Sequence, residues 1–110
     1  MATTQSTADF LTAQASQAGV VRSRKMFGEY ALYCDDKVVA LICDDKLYVK
    51  PTEAGRNFAD QPEEAPPYPG SKPFLVIEED KWEDRTWLSE LIRITAAELP
   101  AAKPKKKKKS

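Results

Sequence analysis

The 110 residues leave room for one domain, and the 42% that are hydrophobic are enough for a core. With no histidine, the chain has no imidazole base, proton shuttle or imidazole metal ligand. The formal charge of zero hides a split. Lys103, Lys105, Lys106, Lys107, Lys108 and Lys109 hold six of the 17 basic residues, leaving residues 1–102 with 11 basic against 17 acidic, a net of −6.

No apolar run approaches the ~18 residues that span a bilayer. Residues 1–10 lack a basic start followed by an apolar stretch and a cleavage site. Two cysteines, Cys34 and Cys43, are too few for the disulfide framework of a small secreted domain. The expectation is a cytoplasmic protein, monomer or homodimer, with no membrane partner.

Residues 6–18 predict an amphipathic helix, with Thr7, Leu11, Ala15 and Ala18 on one stripe, Ser6 as cap and Gly19 as stop. Val20 to Lys25 (VVRSRK) reads as a basic connector, with Met26 and Phe27 anchoring the first strand in the core. The segment Cys-Asp-Asp-Lys occurs at 34–37 and again at 43–46, each time after a run of β-formers, and Leu-Tyr-Val-Lys comes after the second. Two-residue Asp-Asp turns would join three strands as an antiparallel meander, because aspartate tolerates the left-handed backbone such turns need. Unbroken pairing would set Ala31 opposite Ala40, Glu29 opposite Ile42 and Leu41 opposite Tyr48. One face then collects Ala31, Tyr33, Val38, Ala40, Ile42, Leu47 and Val49, and suits a helix. The other collects Tyr30, Leu32, Val39, Leu41 and Tyr48.

Pro51 and Thr52 predict a short helix running to about Phe58. The Pro-rich stretch 61–70 reads as loop with a short edge strand near Pro67–Tyr68, and Pro73 to Glu79 as strand. Asp80, with Glu83 as capping box, would start a last helix. Its stripe is Leu88, Leu91, Ile92, Thr95 and Leu99, and Pro100 would end it. The order α-β-β-β-α-β(β)-α predicts an α+β domain over 1–100, an antiparallel sheet with helices mostly on one face, and a disordered lysine tail over 101–110.

The candidate chemistry is sparse. Cys34, Asp35, Asp36, Cys43, Asp44 and Asp45 are metal-ligating types, but the two turns lie at opposite ends of one strand, roughly 20 Å apart at ~3.3 Å per residue. They cannot meet on one ion, nor can the thiols form a disulfide. The pairs Glu63–Glu64 and Glu78–Glu79 have no apolar pocket to separate their pKa values, so solvated surface accounts for them. With four glycines and no phosphate loop or nucleophile motif, no catalytic, metal or cofactor-binding residue is assigned, and the expectation is a non-enzyme.

Arg22, Arg24 and Lys25 read either as a solvated connector or as a phosphate- or acid-binding edge. The tail lysines, Lys103 and Lys105–Lys109, fit non-specific contact with nucleic-acid phosphates, a solubilising tail, or a tail folded onto the acidic body. The tyrosine-bearing face, with Tyr30, Leu41 and Tyr48, is the candidate contact surface for an unidentified protein partner.

The stretch Arg24–Lys50, RKMFGEYALYCDDKVVALICDDKLYVK, closely resembles the N-terminal domain of the TfoX/Sxy family, named for a bacterial regulator of natural competence. The resemblance covers about residues 9–58. Pro73-Phe74 matches the family's second half, and the ending departs from it. It implies an α+β fold with an antiparallel sheet, and no catalytic residues. Full-length regulators carry a second, helical domain and assist a cyclic-AMP receptor protein at competence promoters. This sequence reads as a single-domain member, which implies a regulatory module working through protein contacts, with a nucleic-acid accessory role through the tail as the alternative.

Overall fold

Two aspartate turns organise the sheet. The computed structural model describes residues 3–26 and 28–99. Asp35 and Asp36 have φ of 52° and 68°, and Asp44 and Asp45 have 54° and 57°. Positive φ at both central residues is the hairpin geometry that matches strand twist. The turns join β2 (Glu29–Cys34), β3 (Lys37–Cys43) and β4 (Lys46–Val49) as the expected meander.

Between β2 and β3 the expected register holds only beside the turn. Cys34 pairs with Lys37 and Tyr33 with Val38, but Leu32 then pairs with Ala40, leaving Val39 as an extra residue. This bulge shifts the rest of β2 by one, so that Ala31 faces Leu41 and Tyr30 faces Ile42. Because side chains alternate, a one-residue shift exchanges the two faces. The β3–β4 pairs, including Leu41–Tyr48 and Ile42–Leu47, are as expected.

The basic connector is a strand. β1 (Val21–Met26) pairs along its length with β2, from Val21–Cys34 to Met26–Glu29. Its pattern looks polar because it is an outer strand with most side chains in solvent, and backbone pairing, not side-chain burial, holds it. Met26 is exposed, not a core anchor, and Phe27 lies outside the described residues. A second short outer strand, β5, is Glu64–Ala65 rather than Pro67–Tyr68, and it pairs with β6 (Phe74–Ile77). Among the described residues six strands run β1-β2-β3-β4-β6-β5, each antiparallel to its neighbour.

The helices cover one face. The first, α1 (Gln5–Gln14), is capped by Thr4, not Ser6: Thr4 Oγ1 accepts from the Thr7 N–H. A 3-10 turn, Ser16–Ala18, continues it to Gly19. α2 (Glu53–Phe58) is capped by Thr52. The final helical stretch is split into α3 (Glu79–Trp82) and α4 (Arg85–Glu98), and Asp84, not Asp80, caps the long helix by accepting from the Trp87 N–H at 3.0 Å. The proposed stop, Pro100, lies outside the described residues. Lys37 Nζ donates to the Ala96 and Leu99 carbonyls at 2.8 and 3.2 Å, satisfying the open end of α4 and opposing its dipole.

One continuous core results. Ala8 and Leu11 of α1 and Leu88, Leu91, Ile92 and Ala96 of α4 meet Leu32, Ala40, Ile42, Leu47, Val49, Leu75 and Ile77 of the sheet. Trp82 closes its end, with Nε1 donating to the Ile77 carbonyl at 3.0 Å.

Candidate functional site

The candidate site is the face of the sheet that no helix among the described residues covers. Ala31, Leu41, Tyr48 and Val76 stand side by side across β2, β3, β4 and β6. Ala31, Cys43 and Tyr48 are buried, yet none belongs to the core beneath the helices. The loop 66–73, which joins β5 to β6, brings Pro67 and Tyr68 against this face. Together with Met26, Glu29, Tyr30, Leu41 and Cys43 they line a recess of about 450 Å³, within the range of small-ligand and anchor-residue pockets. Its rim is apolar and open: Met26 is 41% exposed and Tyr68 54%.

Its carboxylate is committed to the fold and its thiol is held protonated. Glu29 Oε1 accepts from the Thr3 hydroxyl at 2.6 Å, the Thr3 N–H at 3.1 Å and the Asp44 N–H at 3.0 Å, so this carboxylate ties the N-terminal segment to the second turn. Burial, then Glu29 and Asp44, push the Cys43 thiol up to about 11. A thiol held protonated is a poor nucleophile. What the lining presents is mainly apolar surface, from Met26, Leu41, Pro67 and the tyrosine rings.

Of the three residues expected to form a contact surface, Leu41 and Tyr48 are paired on this face. Tyr30 is separated from them by the bulge. Its partners are Lys25 and Ile42, its side chain joins the core, and it only borders the recess. Lys103 and Lys105–Lys109 lie outside the described residues. Met26, Pro67 and Tyr68 were missed from sequence. Tyr68, an aromatic inside a polar, Pro-rich loop, was the available signal.

The Cys-Asp-Asp-Lys copies stand at opposite ends of β3, and both thiols are buried and free. The aspartates serve the fold: Asp35 Oδ1 accepts from the Val20 N–H at 3.0 Å, and Asp45 Oδ1 from the Thr4 N–H at 3.0 Å. That Thr4 N–H, with the Thr7 and Thr4 hydroxyls, holds the Asp45 carboxyl below its ordinary range. Of the glutamate pairs, Glu64 is bound to Arg56 at 2.6 Å. Glu63, Glu78 and Glu79 border a second recess of about 400 Å³ with Asp44, Asp45, Tyr48 and Trp82.

A family model described as the TfoX N-terminal domain matches residues 13–99. The chain belongs to that family. It is also 49% identical over 108 residues to an uncharacterized 12.7 kDa protein in the trpE 5′ region of Spirochaeta aurantia, a match covering 98% of this chain and 93% of that protein. The matched range begins within α1 and takes in every strand, so the helix-free face and its recess belong to the TfoX N-terminal domain. Membership supports a regulatory module of the competence-regulator type.

Proposed function

We propose that this TfoX N-terminal domain is a non-catalytic module that regulates by holding a partner protein against the helix-free face of its sheet, in transcription or competence. The observation that carries this is the open apolar recess between Leu41, Met26, Pro67 and Tyr68 on a face that the chain's own helices leave uncovered. Exposed apolar side chains grouped around a pocket are a common form of protein contact. The non-catalytic part is supported by the absence of histidine from the sequence and by the protonated state of the Cys43 thiol.

A photo-crosslinking residue at position 68, used in extract of the host cell, tests the reading, with one at position 93 on the exposed side of α4 as control. The expected result is a discrete adduct from position 68 that excess unlabelled protein competes away and that Leu41→Asp removes. Adducts from position 93 alone, or adducts indifferent to Leu41→Asp, would reject the face.

A second reading is non-specific nucleic-acid binding through Lys103 and Lys105–Lys109, supported by the division between a −6 body and a basic end. A salt titration of DNA binding with and without residues 103–110 tests it. Equal weak binding by both forms would sink it.

A further inference from the structure

The cations Arg22, Arg24 and Lys25 sit on β1, an outer strand with one neighbour, β2. The Asp35 N–H donates to the Val20 carbonyl at 2.9 Å, and bonded and non-bonded residue pairs alternate along an antiparallel ladder. Val20–Asp35 is thus a bonded pair, and so are the pairs made by Arg22, Arg24 and Met26. Val21, Ser23 and Lys25 turn their N–H and C=O groups outward, and no hydrogen bond among the described residues satisfies these groups. They form a row of alternating donors and acceptors at the side of the sheet.

The charge of this edge opposes that of the body. β1 carries three cations and no anion, while residues 1–102 have a net charge of −6. Arg22 is already engaged, at 3.0 Å from Asp36 and 4.8 Å above the Tyr33 ring. Arg24 and Lys25 are exposed and belong to no ion pair among the described residues. Met26, at the end of the same strand, borders the apolar recess.

We propose that β1 is a docking strand that accepts an extended, acidic segment of the partner protein as a seventh strand of the sheet. The proposal rests on the reading that the domain works through a protein partner. A peptide backbone supplies the donor–acceptor alternation that the edge requires, which a phosphate backbone does not. A second copy paired across a two-fold axis at Ser23, the middle of the outward-facing row, would set Arg22 opposite Arg24, and like charges opposite one another destabilise a strand pair. Carboxylates beside Arg24 and Lys25 relieve that repulsion, and an apolar residue beyond them reaches the recess next to Met26.

The test uses the full chain and three capped synthetic peptides: one alternating glutamate and valine, one alternating lysine and valine, and the glutamate peptide N-methylated along one edge. Binding is followed by anisotropy, and amide exchange by NMR. The glutamate peptide is expected to slow exchange at Val21, Ser23 and Lys25 and to bind about tenfold more weakly when Arg24→Glu and Lys25→Glu are combined. N-methylation is expected to abolish binding. The proposal is overturned if the glutamate peptide fails to bind at millimolar concentration, if the lysine or N-methylated peptide binds as well, or if duplex DNA or self-association protects the same amides. Failure here with the position-68 adduct retained would remove the docking strand and leave the helix-free face standing. Failure of both would remove the protein-partner reading itself.

Discussion

Gly55 is the point where α2 meets α4, and replacing it with alanine should destabilise the domain although alanine is the better helix former. Gly55 is buried in the first turn of α2, and its N–H donates to Thr52 Oγ1 at 3.0 Å. A Cβ there would stand 2.7 Å from that oxygen, 3.5 Å from Thr95 Oγ1 and 3.6 Å from Leu91 Cδ1. Helix preference favours alanine by about 1 kcal/mol. Displacing the cap costs about 1 kcal/mol, and crowding a packed site costs roughly 1–3 kcal/mol. Gly55→Ala should therefore lose about 1–3 kcal/mol net. Urea unfolding followed by tryptophan fluorescence measures this as a lower midpoint with an unchanged slope, Trp82 being buried and Trp87 half-buried. Thr52→Ala alone should cost about 1 kcal/mol, and adding Gly55→Ala to it should cost little more, since the crowded oxygen is gone. A neutral or stabilising Gly55→Ala, or strict additivity in the double variant, would refute the reasoning.

Lys37→Met leaves the Ala96 and Leu99 carbonyls without their charged donor, so it should cost about 1–2 kcal/mol in the same assay, against almost nothing for exposed Lys46→Met. Asp36→Gly relieves a left-handed residue whose carboxylate makes only an exposed ion pair, and should gain about 0.5–1 kcal/mol. Asp45→Gly, at the matching position of the second turn, should instead lower the melting temperature because it releases the Thr4 N–H. The depressed Asp45 carboxyl adds stability above its unfolded value that is lost as pH falls through its lower folded value. Wild type should therefore lose stability on acidification over that window more than Asp45→Asn does. The Cys43 thiol is raised, so its sign is opposite. Stability present below pH 9.0 is lost as pH climbs towards about 11, because the unfolded thiol ionises first. Cys43→Ala should flatten that decline in alkaline unfolding curves, and iodoacetamide should label native Cys43 slowly at neutral pH.

The repeated Cys-Asp-Asp-Lys made the meander legible, because a turn with positive φ at both central positions restricts residue choice tightly. The bulge at Val39 was not legible. The run Val38-Val39-Ala40-Leu41-Ile42 is apolar at every position, so it carries no parity from which to detect an extra residue, and neither glycine nor proline marks the spot. That one residue moved Tyr30 away from Leu41 and Tyr48. β1 was hidden for a different reason: an outer strand needs no apolar alternation when its ladder to β2 supplies the stability. Leu41 and Tyr48 of the site could be read because their pairing runs from the second turn without interruption. Pro67 and Tyr68 could not, since a loop's path across a sheet leaves no periodicity.

Amide hydrogen exchange of the purified complex with the partner captured at position 68 tests the central claim most directly. Slowed exchange at residues 41–43 and 66–68, with α1 and α4 unchanged from the free domain, is the expected result. Protection confined to the exposed surfaces of α1 and α4, with 41–43 and 66–68 exchanging as in the free protein, would contradict it.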